Sequence, residues 1–259
     1  MNESSALIAQ LRRAAIGSVT PADSPDPEAW LAQGLAPARL HEVFATEAVD
    51  AASATGFALA MTLAAGTTPL LWIRTEAAER QGGRLHATGL LELGLPADSL
   101  LLAVVADEGA LLRTAADAAR CAGLGAVLIE SWGRAPGFDL TATRRLMLAA
   151  EASGVTVLSV RVGAQPVPSA AFTRWSVAAA PSAPLEWEAP GGPAFQVELL
   201  RRRGGAAGAR WCVEWNRDGK NFTPVDPVHR AAPLSGAGLP LVADRAAAQH
   251  PPAPVRRAG

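Results

Sequence analysis

Lysine is almost missing from this chain: of 259 residues only Lys220 carries an ammonium, and every other basic residue is arginine. A Gly-x-x-x-x-Gly-Lys-Ser/Thr loop needs that ammonium to reach the β- and γ-phosphates of a nucleotide, and no such loop occurs. Cysteine is scarce as well. Cys121 and Cys212 have no motif spacing, which excludes a disulfide framework or a thiolate metal site. Each is expected as a small buried apolar residue of a reduced, cytoplasmic protein. The four histidines, His41, His86, His229 and His250, are scattered, and none stands at ligand spacing from a Cys or carboxylate. A Ser/His/Asp order with a nucleophile elbow is absent too. No apolar run approaches the roughly 20 residues that cross a bilayer, and the N-terminus lacks the basic-then-apolar pattern of a signal peptide. A net charge of −1 creates no global attraction toward nucleic acid or membrane.

What is present is a hydrophobic content of 49%, enough for one sizeable core with flanking segments. Residues 1–17 read as an amphipathic helix with Leu7, Ile8, Leu11 and Ile16 at helical spacing. It is too short to be stable alone in water and must dock on its own core or on a partner. Residues 18–38 form a Pro-punctuated linker, 39–218 the main domain, and 219–259 a Pro/Ala-rich tail expected to be flexible.

Within the domain, strands alternate with helices. Strands are expected at 41–45, 69–74, 100–105, 125–130 and 155–160. Helices are expected at about 53–65 and 87–93, from the Asp107 cap to 121, and from Asp139 to 152, with Gly94, Gly123 and Gly154 as stops. Strands apolar along their whole length and separated by helices predict a parallel sheet covered on both faces. After residue 165 the stretches 171–177, 194–200 and 210–215 alternate like antiparallel strands. The expected fold is therefore α/β: three layers around a mainly parallel sheet, with antiparallel strands added at the C-terminal edge.

The order of these elements resembles the core of RecA-type recombinases. Leu71 to Glu76 looks like the strand that ends in the water-activating glutamate of such ATPases. Ala126 to Ser131 looks like the Walker B strand, with Glu130 where an aspartate usually holds the Mg²⁺ water shell. More specifically, the phrases Leu40–Phe44, Ala54–Leu59, Asp139–Leu146, Ala149–Val155, Pro168–Trp175 and Glu198–Gly205 resemble the ImuA family. That family comprises RecA-like accessory factors of damage-induced mutagenesis, related to the division inhibitor SulA.

Two candidate sites follow. A vestigial nucleotide pocket would comprise Ser53, Ala54, Thr55 and Gly56 at the first helix, with Glu76 and Glu130 at the ends of adjacent strands. Without the lysine or a glycine-rich nest of N–H groups, nothing offsets triphosphate charge, and two carboxylates repel it. A basic patch of Arg201, Arg202, Arg203, Arg210, Arg217 and Lys220 lies near Trp211 and Trp215. It reads as a hairpin rim, a protein-contact surface or a phosphate track with stacking indoles. Alternation puts both indoles on one side, which favours burial or an interface. Arg144 and Arg145 read as a solvated helix face or a docking surface.

Without a phosphate cradle the chain is expected to lack catalysis and cofactor, and the resemblance implies that it serves SOS-induced translesion synthesis. Its implied partners are RecA, an ImuB-type Y-family-like protein and an error-prone C-family polymerase. Candidate contacts are Leu7, Leu11, Arg201, Arg202, Arg203 and Trp211. A SulA-like inhibitor of division-protein polymerisation, an active ATPase and a DNA-binding module stand as alternatives.

Overall fold

The strands at the centre of the parallel sheet are buried at nearly every residue, because helices cover both faces there. A computed structural model describes residues 35–45, 47–182, 185–189 and 191–225. The helix expected at 1–17, with Leu7 and Leu11, and the tail beyond 225 lie outside the described residues. The strands are β1 (Leu40–Ala45), β2 (Leu70–Thr75), β3 (Leu100–Val105), β4 (Ala126–Trp132) and β5 (Thr156–Val162), then β6 (Thr173–Ala179), β7 (Ala194–Arg202), β8 (Arg210–Asn216) and β9 (Asn221–Pro224). They form one nine-stranded sheet in the order β3-β2-β4-β5-β1-β6-β7-β8-β9. Strands β1 to β6 pair in parallel, and β7 to β9 continue antiparallel.

The helices are α1 (Ala51–Ala64), α2 (Glu76–Gly82), α3 (Ala87–Leu93), α4 (Glu108–Ala118) and α5 (Leu140–Ser153). Helix α1 covers one face, burying Phe57, Met61 and Leu63 against Val43, Leu158, Val160 and Trp175. On the opposite face α4 and α5 bury Leu111, Ala115, Leu146 and Met147 against Ile73, Val127, Ile129 and Val157. The α/β three-layer architecture, with antiparallel strands at the C-terminal edge, is the one the sequence predicts.

Local chemistry explains the helix ends. Asp107 and Asp139 cap α4 and α5 by accepting the N–H of Ala110 and of Ala142, each at 2.7 Å. Gly94 and Gly154 stop α3 and α5 in the left-handed region, at φ of 101° and 84°. Gly125, before β4, is a close-approach glycine: a Cβ there would lie 2.4 Å from the Thr67 carbonyl carbon.

Several expectations need correction. Strand β3 is apolar throughout yet sits at the sheet edge, with Leu101 55%, Leu102 46% and Val104 40% exposed. An apolar run marks capacity for burial, whereas crossover order decides which strand ends up outermost. Strand β6, placed by its alternation among the antiparallel strands, pairs parallel with β1 and antiparallel with β7. The domain boundary drawn at 218 moves outward, because β9 at 221–224 belongs to the sheet. Cys121, expected to be buried, is exposed in the turn after α4, and Cys212 is half-buried.

Candidate functional site

The connection from β1 to α1 is where a nucleotide-binding loop would stand. Here its described part holds a 3₁₀ segment, Ala48–Asp50. Helix α1 begins with Asp50 as its cap residue, but the Asp50 carboxylate does not bond the helix; its Oδ1 accepts the Ala179 N–H at 2.9 Å. A helix N-terminus attracts anions through its free N–H groups and dipole. Asp50 at the cap and Glu47 three residues before it bring acidic residues to that terminus instead, so a phosphate would approach like charge.

Ser53, Thr55, Gly56 and Glu130 line a common cavity of about 650 Å³ between α1, β2, α3 and the turn before β7. Trp72, Arg74 and Trp132 line it as well. Ala54 is buried in α1. Glu76 is the first residue of α2, exposed and ion-paired with Arg80 at 3.6 Å on its own helix. The structure thus brings four of the six pocket candidates together and places Glu76 and Ala54 elsewhere.

Glu130 is only 3% exposed, and its carboxylate is fully engaged. Arg74 Nη2 and Trp132 Nε1 donate to Oε1 at 3.0 Å and 2.7 Å, and Trp72 Nε1 donates to Oε2 at 3.0 Å. The same guanidinium donates to the Ala78 and Gly83 carbonyls. Strand geometry assembles this group. Arg74 and Glu130 are register partners across β2 and β4, and Trp72 and Trp132 lie two residues away on the same face. Helix α2 closes over it so tightly that a Cβ on Gly82 would lie 2.7 Å from the Trp132 ring. The sequence reading missed Trp72 and Arg74, although Trp-x-Arg and Glu-x-Trp spacing on neighbouring strands already puts these side chains on one face with Glu130 and Trp132.

A second buried ionic group lies on the α4/α5 face. Glu42 Oε2 accepts from Arg174 Nε and from Ser169 Oγ, both at 2.7 Å. Further along β5, Arg161 stacks on the Phe138 ring with 4.4 Å to its centroid. His41 is completely buried on β1. Its Nε2 lies 3.0 Å from the Ala36 carbonyl, which can only accept, so Nε2 carries the proton. Nδ1 then accepts from the Thr173 hydroxyl at 2.7 Å, and Thr173 in turn accepts the Trp175 indole N–H at 2.9 Å. Burial lowers the His41 pKa to about 4 against the pull of the Ala36 carbonyl, so the ring is neutral at pH 7.

The basic patch is partly committed to the fold. Arg201 donates to the Ser169 carbonyl at 3.0 Å, Arg210 pairs with Glu198 across β7 and β8 at 3.0 Å, and Arg217 pairs with Asp218. Arg202 is half-buried, whereas Arg203 and Lys220 are exposed. Trp215 is buried, donating its indole N–H to the Leu93 carbonyl at 2.8 Å, and Trp211 packs against Trp175 at 6.1 Å. Arg144 and Arg145 are exposed on α5. No described helix is long and apolar enough to cross a membrane.

As a cradle for a magnesium nucleotide the residues do not fit. The loop lacks its lysine and glycines, acidic residues precede the helix N-terminus, and the carboxylate on β4 already receives three donors.

Comparison with known proteins places the chain beside others. No family model matches it. It is similar to Protein ImuA of Caulobacter vibrioides in two strains, at 37% identity over 159 residues in each. The match covers 57% of this chain and 63% of the relative, so the chain spans under two thirds of the length of these curated relatives. Among solved structures, the crystal structure of the RadB recombinase matches with a TM-score of 0.48 and 15% identity, covering 74% of this chain and 93% of that one.

Proposed function

We propose a docking role for this chain, a homologue of ImuA across the 159 matched residues: a RecA-like accessory protein of SOS-induced, error-prone translesion DNA synthesis that acts in the cytoplasm by binding proteins and turns over no nucleotide. The partners in this reading are RecA and an ImuB-type protein, with an error-prone C-family polymerase joining them.

The observation that carries the reading is the occupation of Glu130. A carboxylate that organises a Mg²⁺ water shell must present free lone pairs to solvent. Glu130 instead receives one guanidinium and two indole donors in a buried setting. The chemistry such a strand would supply has been replaced by a polar anchor that holds β2, β4 and α2 together. The open edge β3 supports the docking half of the reading, because a strand paired on one side only and displaying Leu101, Leu102 and Val104 can accept a partner's strand or apolar face.

The test is a nucleotide-free pull-down of purified RecA and ImuB-type protein. Capture is expected with the unaltered chain and reduced by Leu101→Glu with Val104→Lys. Failure to retain either partner would remove the reading. So would ATP hydrolysis at motor-like rates that is lost in Glu130→Gln.

A further inference from the structure

The loops that follow β4 and β5 enclose a second cavity, about 670 Å³, on the face opposite α1. Such a volume suits a ligand group rather than a few waters. Its walls are mostly apolar, including Ala135, Pro136, Phe138 and Ala164. Leu140 and Val167 are exposed at its mouth, 53% and 44% respectively. At its base lies Arg161, only 3% exposed.

Arg161 is not explained by the fold. Its Nε has no hydrogen-bond partner, and among the described residues no carboxylate stands at ion-pair distance from it. The acidic groups nearby are already used. Glu42 is held by Arg174 and Ser169, Glu108 accepts the Gly137 N–H at 2.6 Å, and Asp139 caps α5. A buried cation without an ion-pair partner is costly; burial pulls the Arg161 pKa down, and the more distant charges of Glu42 and Glu108 only partly oppose it. Meanwhile the Phe138 ring lies against the guanidinium, whose carbon is 4.4 Å from the ring centroid.

The charged residues lining the cavity are Arg134, Arg161 and Asp139, a surplus of one positive charge. That balance suits a single monoanion and offers no track for a polyanion. A planar guanidinium fork matches a carboxylate. The apolar walls and the exposed leucine and valine at the mouth continue the contact surface outward, as a chain segment requires and a small free acid does not.

We propose that this cavity receives an acidic side chain together with its apolar neighbours from a segment of a partner protein, the carboxylate meeting Arg161. The inference rests on the docking reading above and names the chemistry by which a partner is held.

The experiment is an NMR titration of the full chain with acetyl-Leu-Glu-Leu-amide, its Gln analogue, hexanoate and a thymidine dodecanucleotide. The Glu peptide is expected to shift residues 134–140 and 161–168 saturably, and to bind about tenfold or more tighter than the Gln peptide. Arg161→Gln abolishes that preference, while comparison of the two peptides on the unaltered chain needs no variant to fold. Equal binding of the two peptides, or no shift in those residues, overturns the proposal. Hexanoate matching the Glu peptide overturns it in favour of a free organic acid, and Arg161-dependent binding of the oligonucleotide overturns it in favour of nucleic acid. In the pull-down, partner capture that survives Arg161→Gln but is lost with the β3 variant sinks this proposal and leaves the docking reading standing.

Discussion

Replacing Glu130 by alanine should damage folding, because among the described residues no other carboxylate pairs with Arg74. Arg74 is 2% exposed, and Glu130 is its ion-pair partner at 3.0 Å. Removing one member of a buried pair costs about 3–5 kcal/mol, since the surviving charge stays desolvated. The Trp72 indole would also lose its acceptor inside the core, and an unsatisfied buried donor costs roughly 1–3 kcal/mol. A loss of at least about 4 kcal/mol is therefore expected, equivalent to a melting point lower by roughly 8–16 °C for a domain this size. Urea unfolding followed by tryptophan emission measures it directly, because Trp72 and Trp132 both contact the substituted side chain. Arg74→Met combined with Glu130→Leu removes both charges and should recover most of the loss. A Glu130→Ala protein within about 1 kcal/mol of the parent would refute the argument, since exposed and dispensable carboxylates behave that way.

Two further outcomes can be measured on the same footing. His41 has its pKa lowered from 6.5 to about 4, so the unfolded chain takes up a proton that the folded chain refuses; the stability this contributes is present above pH 6.5 and is lost as pH falls toward 4, by about 3 kcal/mol in all. Stability measured across that range should drop in the parent and flatten in His41→Gln, and parallel curves would refute it. Gly125→Ala would force a methyl to within 2.4 Å of backbone at Thr67, so calorimetry should show a loss well beyond the ~0.5 kcal/mol of an ordinary surface change.

Much of the architecture could be read in advance because its signals are local. Alternation of apolar runs with capped helices identified β1 to β5, and the capping roles of Asp107 and Asp139 follow from their side-chain chemistry. What was hidden depends on partners far away in sequence. The run at 100–105 is as apolar as a buried strand, but only the sheet order reveals it as an edge. Strand β9 spans four residues, Asn221–Pro224, too short and polar to announce itself, and it exists because Phe222 meets Trp215 across the pair with ring centroids 5.0 Å apart. In the pocket, Ser53, Thr55, Gly56 and Glu130 were legible from element order. The role of Glu130 was not, because the donors that occupy it come from residues 58 and 56 positions away, together with Trp132 on its own strand.

The aromatic contact at the far end of the sheet has a practical meaning. Phe222 touches Phe57, Phe195 and Trp215 at once, with Phe57 only 5.3 Å away in the helix that covers the central strands. The final hairpin is thus a bolt rather than a fringe. A chain shortened anywhere before 222 would lose the ring that joins β9 to α1, and any shortened version intended to keep its shape must carry that ring.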